Sequence, residues 1–264
     1  MAAEPGIGLM GQLTPGGVLD DVSLELQRGE VFGIIALDWR QNQDLEEETV
    51  KEIKRLSEEH GLKLIVHTPF YLPTSTILPE LKEGVLKNVR KALRLANDVG
   101  ADRLTIHPGY REMPGPALDI SYGALTSNLK DVAALGKEAG VAICLENFDN
   151  DDDLLCKEPA ELLKVLGAVE GLKVTLDVGH AHTTSTDPEA YFGKVKDRLL
   201  DMHVHDNNGK ADEHAGLGKG NIDFKRLFRA CKDAGYHGPF ILELFPYETI
   251  LAGKKAVEEL WKEA

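Results

Sequence analysis

Nine residues of metal-ligand type recur at equivalent places along this chain: His67, His107, Glu146, Asp177, His180, His203, Asp212, His214 and Glu243. Six of them close a short apolar run. LKLIVH ends at His67, DRLTIH at His107, VAICLE at Glu146, LKVTLD at Asp177, LLDMH at His203 and PFILE at Glu243. One such residue at the end of one run means little. Taken singly, His67 or His107 reads as a hydrogen-bonded core histidine, Glu146 or Glu243 as an ion-paired residue, and Asp212 as a solvated loop carboxylate. Six of them closing successive runs need a common cause, and a shared metal site supplies one. Every donor is a carboxylate oxygen or an imidazole nitrogen and none is a thiolate, which suits Zn²⁺, Mn²⁺, Co²⁺ or Fe²⁺. Nine ligands are too many for one ion. Up to three divalent ions are expected, zinc or manganese first, with a carboxylate bridging. The i, i+2 spacing of Asp212 and His214 puts both side chains on one side of an extended loop.

The elements that must position these residues alternate. Short apolar runs at 6–10, 31–37, 62–67, 102–107, 141–146, 172–177, 200–205 and 239–244 read as parallel strands buried on both faces. Helix-patterned stretches lie between them. Val50, Ile53 and Leu56 follow a capping-box pair, Asp44 and Glu47, and Val85, Val89, Leu93 and Ala96 share one face, as do Leu125, Leu129 and Val132. Gly61, Gly100, Gly140, Gly171 and Gly235 stand just before successive strands, where a glycine closes a helix in the left-handed conformation. Eight such units in 264 residues predict one domain over 1–264, a (β/α)8 TIM barrel, with a doubly wound open sheet as the alternative. The first unit, GQLTPGGVLDDVSLELQRGE, has little room for a full helix. In a barrel the strand-end residues converge at the C-terminal mouth, while Lys63, Arg103, Lys173 and Asp201 point to the opposite end as a structural ion-pair cluster.

A formal charge of −14 offers no basic footprint for nucleic acid. Cys144, Cys156 and Cys231 are odd in number and contain no C-x-x-C pair, so neither a disulfide framework nor a thiolate zinc site is expected. No secretory signal and no membrane-length apolar run are evident, and a reducing cytoplasmic location is the expectation. His60 and His237 fall outside the pattern and read as surface residues.

With these motifs in hand, the chain resembles the xylose isomerase-like barrel superfamily, which includes endonuclease IV and the sugar isomerases and epimerases. The resemblance runs from about residue 60 to 245 and is densest in MHVHDNNGKADEHAGLGKGNIDF at 202–224, with HPG at 107–109, LENF at 145–148 and DVGHAH at 177–182. It implies three metal positions. His67, His107 and Glu146 form the first, Glu146 as a bridge with Asp177, His203 and Glu243 the second, and His180, Asp212 and His214 the third.

Two chemistries suit such a mouth. The first expectation is hydrolysis of a small phosphoester or phosphodiester, because clustered metals lower the pKa of a bridging water and neutralise phosphate. It is favoured by the ligands that a one-metal ketose epimerase of this superfamily does not need: His67, His107, Asp212 and His214. The alternative is isomerisation or epimerisation of a sugar or sugar phosphate, in which Glu146 and Glu243 exchange a proton through an enediolate around one metal. Endonuclease IV-like cleavage of abasic DNA is a second alternative, disfavoured by the acidic run Asp149, Asn150, Asp151, Asp152 and Asp153 near the mouth. A small, phosphorylated substrate is expected, with Trp39, Phe70, Tyr71, His205 and Lys210 as candidate substrate contacts. His205 shares the strand parity of His203 and reaches either the mouth or a ligand. Arg111 and Lys219 are further candidates for a phosphate.

Overall fold

A computed structural model describes residues 4–12, 34–38, 47–112, 118–245 and 249–264. Eight parallel strands close into a barrel in sequence order: β1 (Ile7–Gln12), β2 (Ile34–Asp38), β3 (Lys63–His67), β4 (Arg103–Ile106), β5 (Ala142–Glu146), β6 (Lys173–Asp177), β7 (Leu199–Val204) and β8 (Phe240–Leu242). β8 pairs with β1, Phe240 opposite Ile7, which excludes the open doubly wound sheet. The described helices are α1 (Glu47–His60), α2 (Pro79–Val99), α3 (Leu118–Ala139), α4 (Pro159–Ala168), α5 (Val178–Thr183), α6 (Pro188–Val195), α7 (Phe224–Asp233) and α8 (Ile250–Glu263). The expected first helix, Asp44 and Trp39 lie outside the described residues.

The apolar periodicities face the barrel as expected. Val85, Val89, Leu93 and Ala96 of α2 and Leu125, Leu129 and Val132 of α3 are buried with Leu104, Ile106, Leu145, Val174, Leu176 and Val204 in one continuous core. Each Val, Leu or Ile among them contributes about 1.5–3 kcal/mol on burial. Met10, Ile65 and Ile241 form a separate small cluster, whose strand parity places it inside the barrel below the mouth. All five glycines expected to end helices have positive φ; Gly100, at 76°, closes α2 by donating its N–H to Ala96 and Asn97.

Two strands are shorter than the sequence pattern implies. β4 ends at Ile106 and β8 at Leu242, so His107 and Glu243 stand one residue beyond the ladder. Pro108 follows His107 and has no N–H to continue the pairing. The bottom of the barrel carries the expected ion pair in part. Arg103 Nη1 lies 3.3 Å from Asp201 Oδ2 and donates to Leu200 O at 2.7 Å, whereas Lys63 is exposed and Lys173 half-buried. Above that pair Thr105 and Thr175 hydrogen-bond across the barrel at 2.9 Å. His60 is exposed as expected, but His237 is half-buried, its ring 5.8 Å from that of Trp261. Among the described residues no helix is long and apolar enough to cross a membrane.

Candidate metal centre

The strand ends converge on Glu146. Its Oε2 lies 3.1 Å from His67 Nε2 and 3.2 Å from His107 Nε2, and its Oε1 lies 2.8 Å from His203 Nδ1. His203 Nδ1 is also 3.4 Å from Glu243 Oε2 and 3.9 Å from Asp177 Oδ2. Register explains part of this: Asp177 at the end of β6 is the direct partner of His203 on β7. A second knot forms where loops leave the strands. Asp212 Oδ2 lies 2.8 Å from His214 Nε2 and 3.3 Å from His180 Nε2. All nine residues singled out by type and spacing therefore meet in one mouth.

Backbone carbonyls fix the rings. His67 Nδ1 lies 2.7 Å from Thr68 O, His180 Nδ1 2.9 Å from Asn147 O and His214 Nδ1 3.0 Å from Glu243 O. A carbonyl only accepts, so each of these Nδ1 atoms carries the proton and leaves Nε2 to face the carboxylates as a potential ligand. His107 is held differently. Its Nδ1 is buried without a hydrogen-bond partner, and its ring stacks on Phe148 at 4.7 Å and 5°.

Among the described residues four sets have ligand atoms mutually within 4.8 Å: His67, Glu146 and His203; Asp177, His203 and Glu243; Asp177, His180 and His205; and His205, Asp212 and His214. Oxygen and imidazole donors converging on shared carboxylates fit divalent ions. The sets overlap the three positions implied by the resemblance and add His205. That residue is fully buried, with Nε2 3.0 Å from Asp177 Oδ1 and 3.5 Å from Asp212 Oδ1. It is not among the residues that line the cavity, as a substrate contact would be.

The electrostatics follow from this crowding. Burial pushes Glu146 up, but His203 and His107 outweigh it and hold the carboxyl well below the usual range. Burial likewise opposes charge on His203, His180 and His214. Glu146 nevertheless raises His203 to about 10, Asp177 and Asp212 hold His180 well above its ordinary value, and Asp212 raises His214 to about 9. His107 goes the other way, lowered because burial outweighs Glu146.

A cavity of about 220 Å³ opens over the centre, lined by Met10, Phe70, Tyr71 and Phe245 beside His67, His107, Glu146, His180, Asp212, His214 and Glu243. Phe70 and Tyr71 stand at the mouth. No lysine or arginine is among these lining residues. Lys210 and Lys219 are exposed and away from the lining, Arg111 donates to Asp152 O at 3.2 Å, and Trp39 lies outside the described residues. Two supporting residues fall within LENF, one of the segments that carry the resemblance, but had no role assigned from the sequence. Asn147 bridges β5 to β6, accepting from Asp177 N at 2.9 Å and donating to Asp177 O at 3.0 Å, and Phe148 carries the His107 ring.

Comparison with known proteins gives one family and more than one activity. The model of the xylose isomerase-like TIM barrel matches residues 30–264. Relatives include the uncharacterized protein MJ1311 of Methanocaldococcus jannaschii, 26% identical over 226 residues and covering 81% of this chain and 75% of the relative. Fructoselysine 3-epimerase of Escherichia coli O157:H7 is 24% identical over 227 residues, 81% of each chain. A probable endonuclease 4 of Pediococcus pentosaceus is 26% identical over 218 residues, 75% of this chain and 72% of the relative. Among solved structures, a D-tagatose 3-epimerase-like protein shares the fold at a TM-score of 0.89, with 23% identity and 97% of both chains covered.

Proposed function

This chain belongs to the xylose isomerase-like TIM-barrel family, and from that premise we propose that it is a divalent-metal-dependent epimerase or isomerase of a small, unphosphorylated sugar. The observation that carries the reading is the pair Glu146 and Glu243. Both line the cavity, and His203 lies between them, 2.8 Å from one carboxylate and 3.4 Å from the other. In this reading one glutamate takes the proton from a carbon beside the sugar carbonyl and the other returns a proton to the opposite face. Two carboxylates on opposite sides reach both faces of the reacting carbon of the open-chain sugar without the substrate turning over. Asp177, His203, Glu243 and Glu146 would hold the ion. When bound, it supplies Lewis-acid polarisation of the carbonyl and its neighbouring hydroxyl.

The cavity supports the substrate class. Its 220 Å³ is smaller than the roughly 300–1,000 Å³ usual for drug-sized ligands, which suits one sugar ring. Phe70 and Phe245 offer apolar faces, while the described lining has three carboxylates, Glu146, Asp212 and Glu243, and no lysine or arginine to meet a phosphate dianion. This departs from the phosphorylated substrate and the hydrolytic reaction expected first from the ligand surplus. Among the relatives, fructoselysine 3-epimerase favours epimerisation. The acidic loop at 151–153 is exposed, which weighs against a nucleic-acid backbone.

One observation favours a second reading. His67, His107, His180, Asp212 and His214 also stand at ligand distances, and a single-ion proton exchange does not employ them. Hydrolysis of a small phosphodiester by a metal cluster would. The deciding experiment incubates zinc- or manganese-loaded protein with a panel of ketoses in D2O and follows carbon-bound deuterium by NMR. Under the proposal a substrate gains deuterium, and Glu146→Gln and Glu243→Gln each slow exchange by about 10²–10⁴-fold. Cleavage of a phosphodiester with no exchange into any sugar would overturn it.

A further inference from the structure

Asp206 stands outside the ligand set, yet more of the mouth hangs on it than on any ligand's own backbone. It is fully buried just past the end of β7. Its Oδ1 accepts the backbone N–H of Asn207 at 2.9 Å and of Ile222 at 3.2 Å, and its Oδ2 accepts those of Gly218 at 2.8 Å and Gly220 at 3.0 Å. Its peptide pairs with Ala215 in both directions, at 2.8 and 3.0 Å. The segment from Asn207 to Ile222 is thus tied at its start, middle and end to one residue. Gly220 comes so close that a Cβ there would lie 2.4 Å from Asp206 Oδ1 and 2.1 Å from Asn207 O.

That segment carries Asp212 and His214. His214 has φ of 46°, the left-handed region that a residue with a Cβ occupies only when its surroundings hold it there. The holding contacts are local and visible. Ala215, the next residue, is bridged to Asp206; Phe245 N donates to His214 O at 3.0 Å; and His214 Nδ1 donates to Glu243 O. We propose that Asp206 is a positioning residue whose carboxylate holds the β7–α7 loop in the one shape that brings Asp212 and His214 to His180, so that a divalent ion at those three residues depends on it. The inference rests on the reading of this centre as metal-binding. A buried carboxylate receiving four N–H groups makes the strong, charge-assisted kind of bond. An amide in its place keeps one acceptor oxygen and turns an N–H₂ group toward two backbone donors.

The test is a zinc titration of the full-length, chelator-stripped protein in competition with a chromophoric chelator, for wild type, D206N, H214A and the double variant. D206N is expected to weaken one class of zinc site by about 10–100-fold, as loss of an outer-shell partner does. The double variant should bind as H214A does, because both changes remove the same ligand geometry. A generally structural role would instead add its loss to that of H214A, and that outcome overturns the proposal. So does a wild-type titration curve for D206N when H214A is weakened. If H214A itself matches wild type, no ion sits at these residues. That outcome removes this proposal and the third metal position together while leaving the deuterium-exchange test of the proposed reaction untouched. Should D206N fail to fold, D206E, which keeps the charge and displaces it by one methylene, carries the same comparison.

Discussion

Gly179→Ala should disable the centre without replacing any of its ligand-type residues. Gly179 lies in α5, the short helix that Asp177 caps by accepting His180 N at 2.7 Å. A Cβ at 179 would stand 1.9 Å from Cε1, 2.3 Å from Nδ1 and 2.5 Å from Nε2 of His205, where ordinary contact begins at 3.4 Å. The ring or the helix must therefore give by about 1.5 Å. The ring has no direction in which to retreat. It bonds Asp177 Oδ1 at 3.0 Å on one side and stacks on His214 at 4.2 Å on another, and it is fully buried. Overpacking of this kind costs about 1–3 kcal/mol of stability, and moving reacting groups by about 1 Å costs about 10²-fold in rate. The expected outcome is a variant that folds, melts earlier by that amount, binds zinc more weakly, and loses about 100-fold in kcat/KM on the true substrate. Gly84→Ala in α2 is the control: its Cβ would meet nothing within 4 Å, so stability should hold or rise by up to about 1 kcal/mol. Thermal melts, zinc competition and steady-state rates on the two variants decide it. Wild-type zinc binding and rate in Gly179→Ala would show that His205 and Asp177 do not set the geometry of the centre.

Zinc uptake should release protons. His203 and His214 sit at about 10 and about 9 without metal, above their ordinary 6.5, so at pH 7.5 both carry protons that a metal must displace. Affinity should rise with pH, and binding heats should differ between buffers of different ionisation enthalpy; identical heats would contradict the protonated cluster. By the same linkage, these raised values stabilise the stripped protein fully below about pH 6.5 and cease to do so as pH climbs through 9 to 10. Melting of the stripped protein should fall across that window and that of the loaded protein should fall less. At the other end of the barrel, Arg103→Met takes the guanidinium away from buried Asp201, whose carboxyl burial already pushes up, and should cost at most about 3–5 kcal/mol of stability. Its kcat should not change; a large loss of kcat with unchanged melting would mean that the bottom of the barrel takes part in the reaction. Phe70→Ala should raise KM for a neutral sugar with little effect on kcat, as removal of uniform binding does, and an unchanged KM would remove Phe70 from the sugar subsite.

The barrel and the nine converging residues were legible because each depends on a local rule. Buried parallel strands read as apolar runs, helix-ending glycines recur before them, and strand ends share one mouth. Position along the inward-facing strands separated Glu146 and His203 near the strand ends from Arg103 and Asp201 near the starts. What parity could not resolve is depth and partner. His205 has the parity of His203 but lies two residues further on, and the turn of α5 against it puts it under Asp177 rather than in the cavity. Lys210 lies in the right loop, but neighbouring residues there are turned inward by Asp206, whose four bonds all go to backbone N–H groups and leave no trace in residue type. Asn147 and Phe148 stand in the quoted LENF segment, but their roles are hidden for the same reason: one bonds to a peptide and the other packs by shape.

The ring tautomers carry one step further. His67, His180 and His214 each give their Nδ1 proton to a carbonyl, so their Nε2 atoms are committed to the cavity whatever fills it. Lone pairs aimed together at carboxylates are satisfied either by protons or by a cation. Burial makes uncompensated charge costly, so in the stripped centre the neighbouring imidazoles hold the Glu146 carboxyl well below its usual range and the neighbouring carboxylates hold His180 well above its own. Metal therefore replaces protons in a cage of nearly constant charge balance, and little of the cage has to move. His107 is the exception. Burial keeps it neutral, and it is braced by an aromatic face instead of a carbonyl, so it can offer a lone pair without losing a proton. Its contribution to metal affinity should accordingly vary less with pH than that of His203, and a pH series of zinc affinities for His107→Ala against wild type measures the difference. Equal pH slopes for the two proteins fit this account. A slope that flattens by one proton in the variant would mean that His107 is protonated before metal binds.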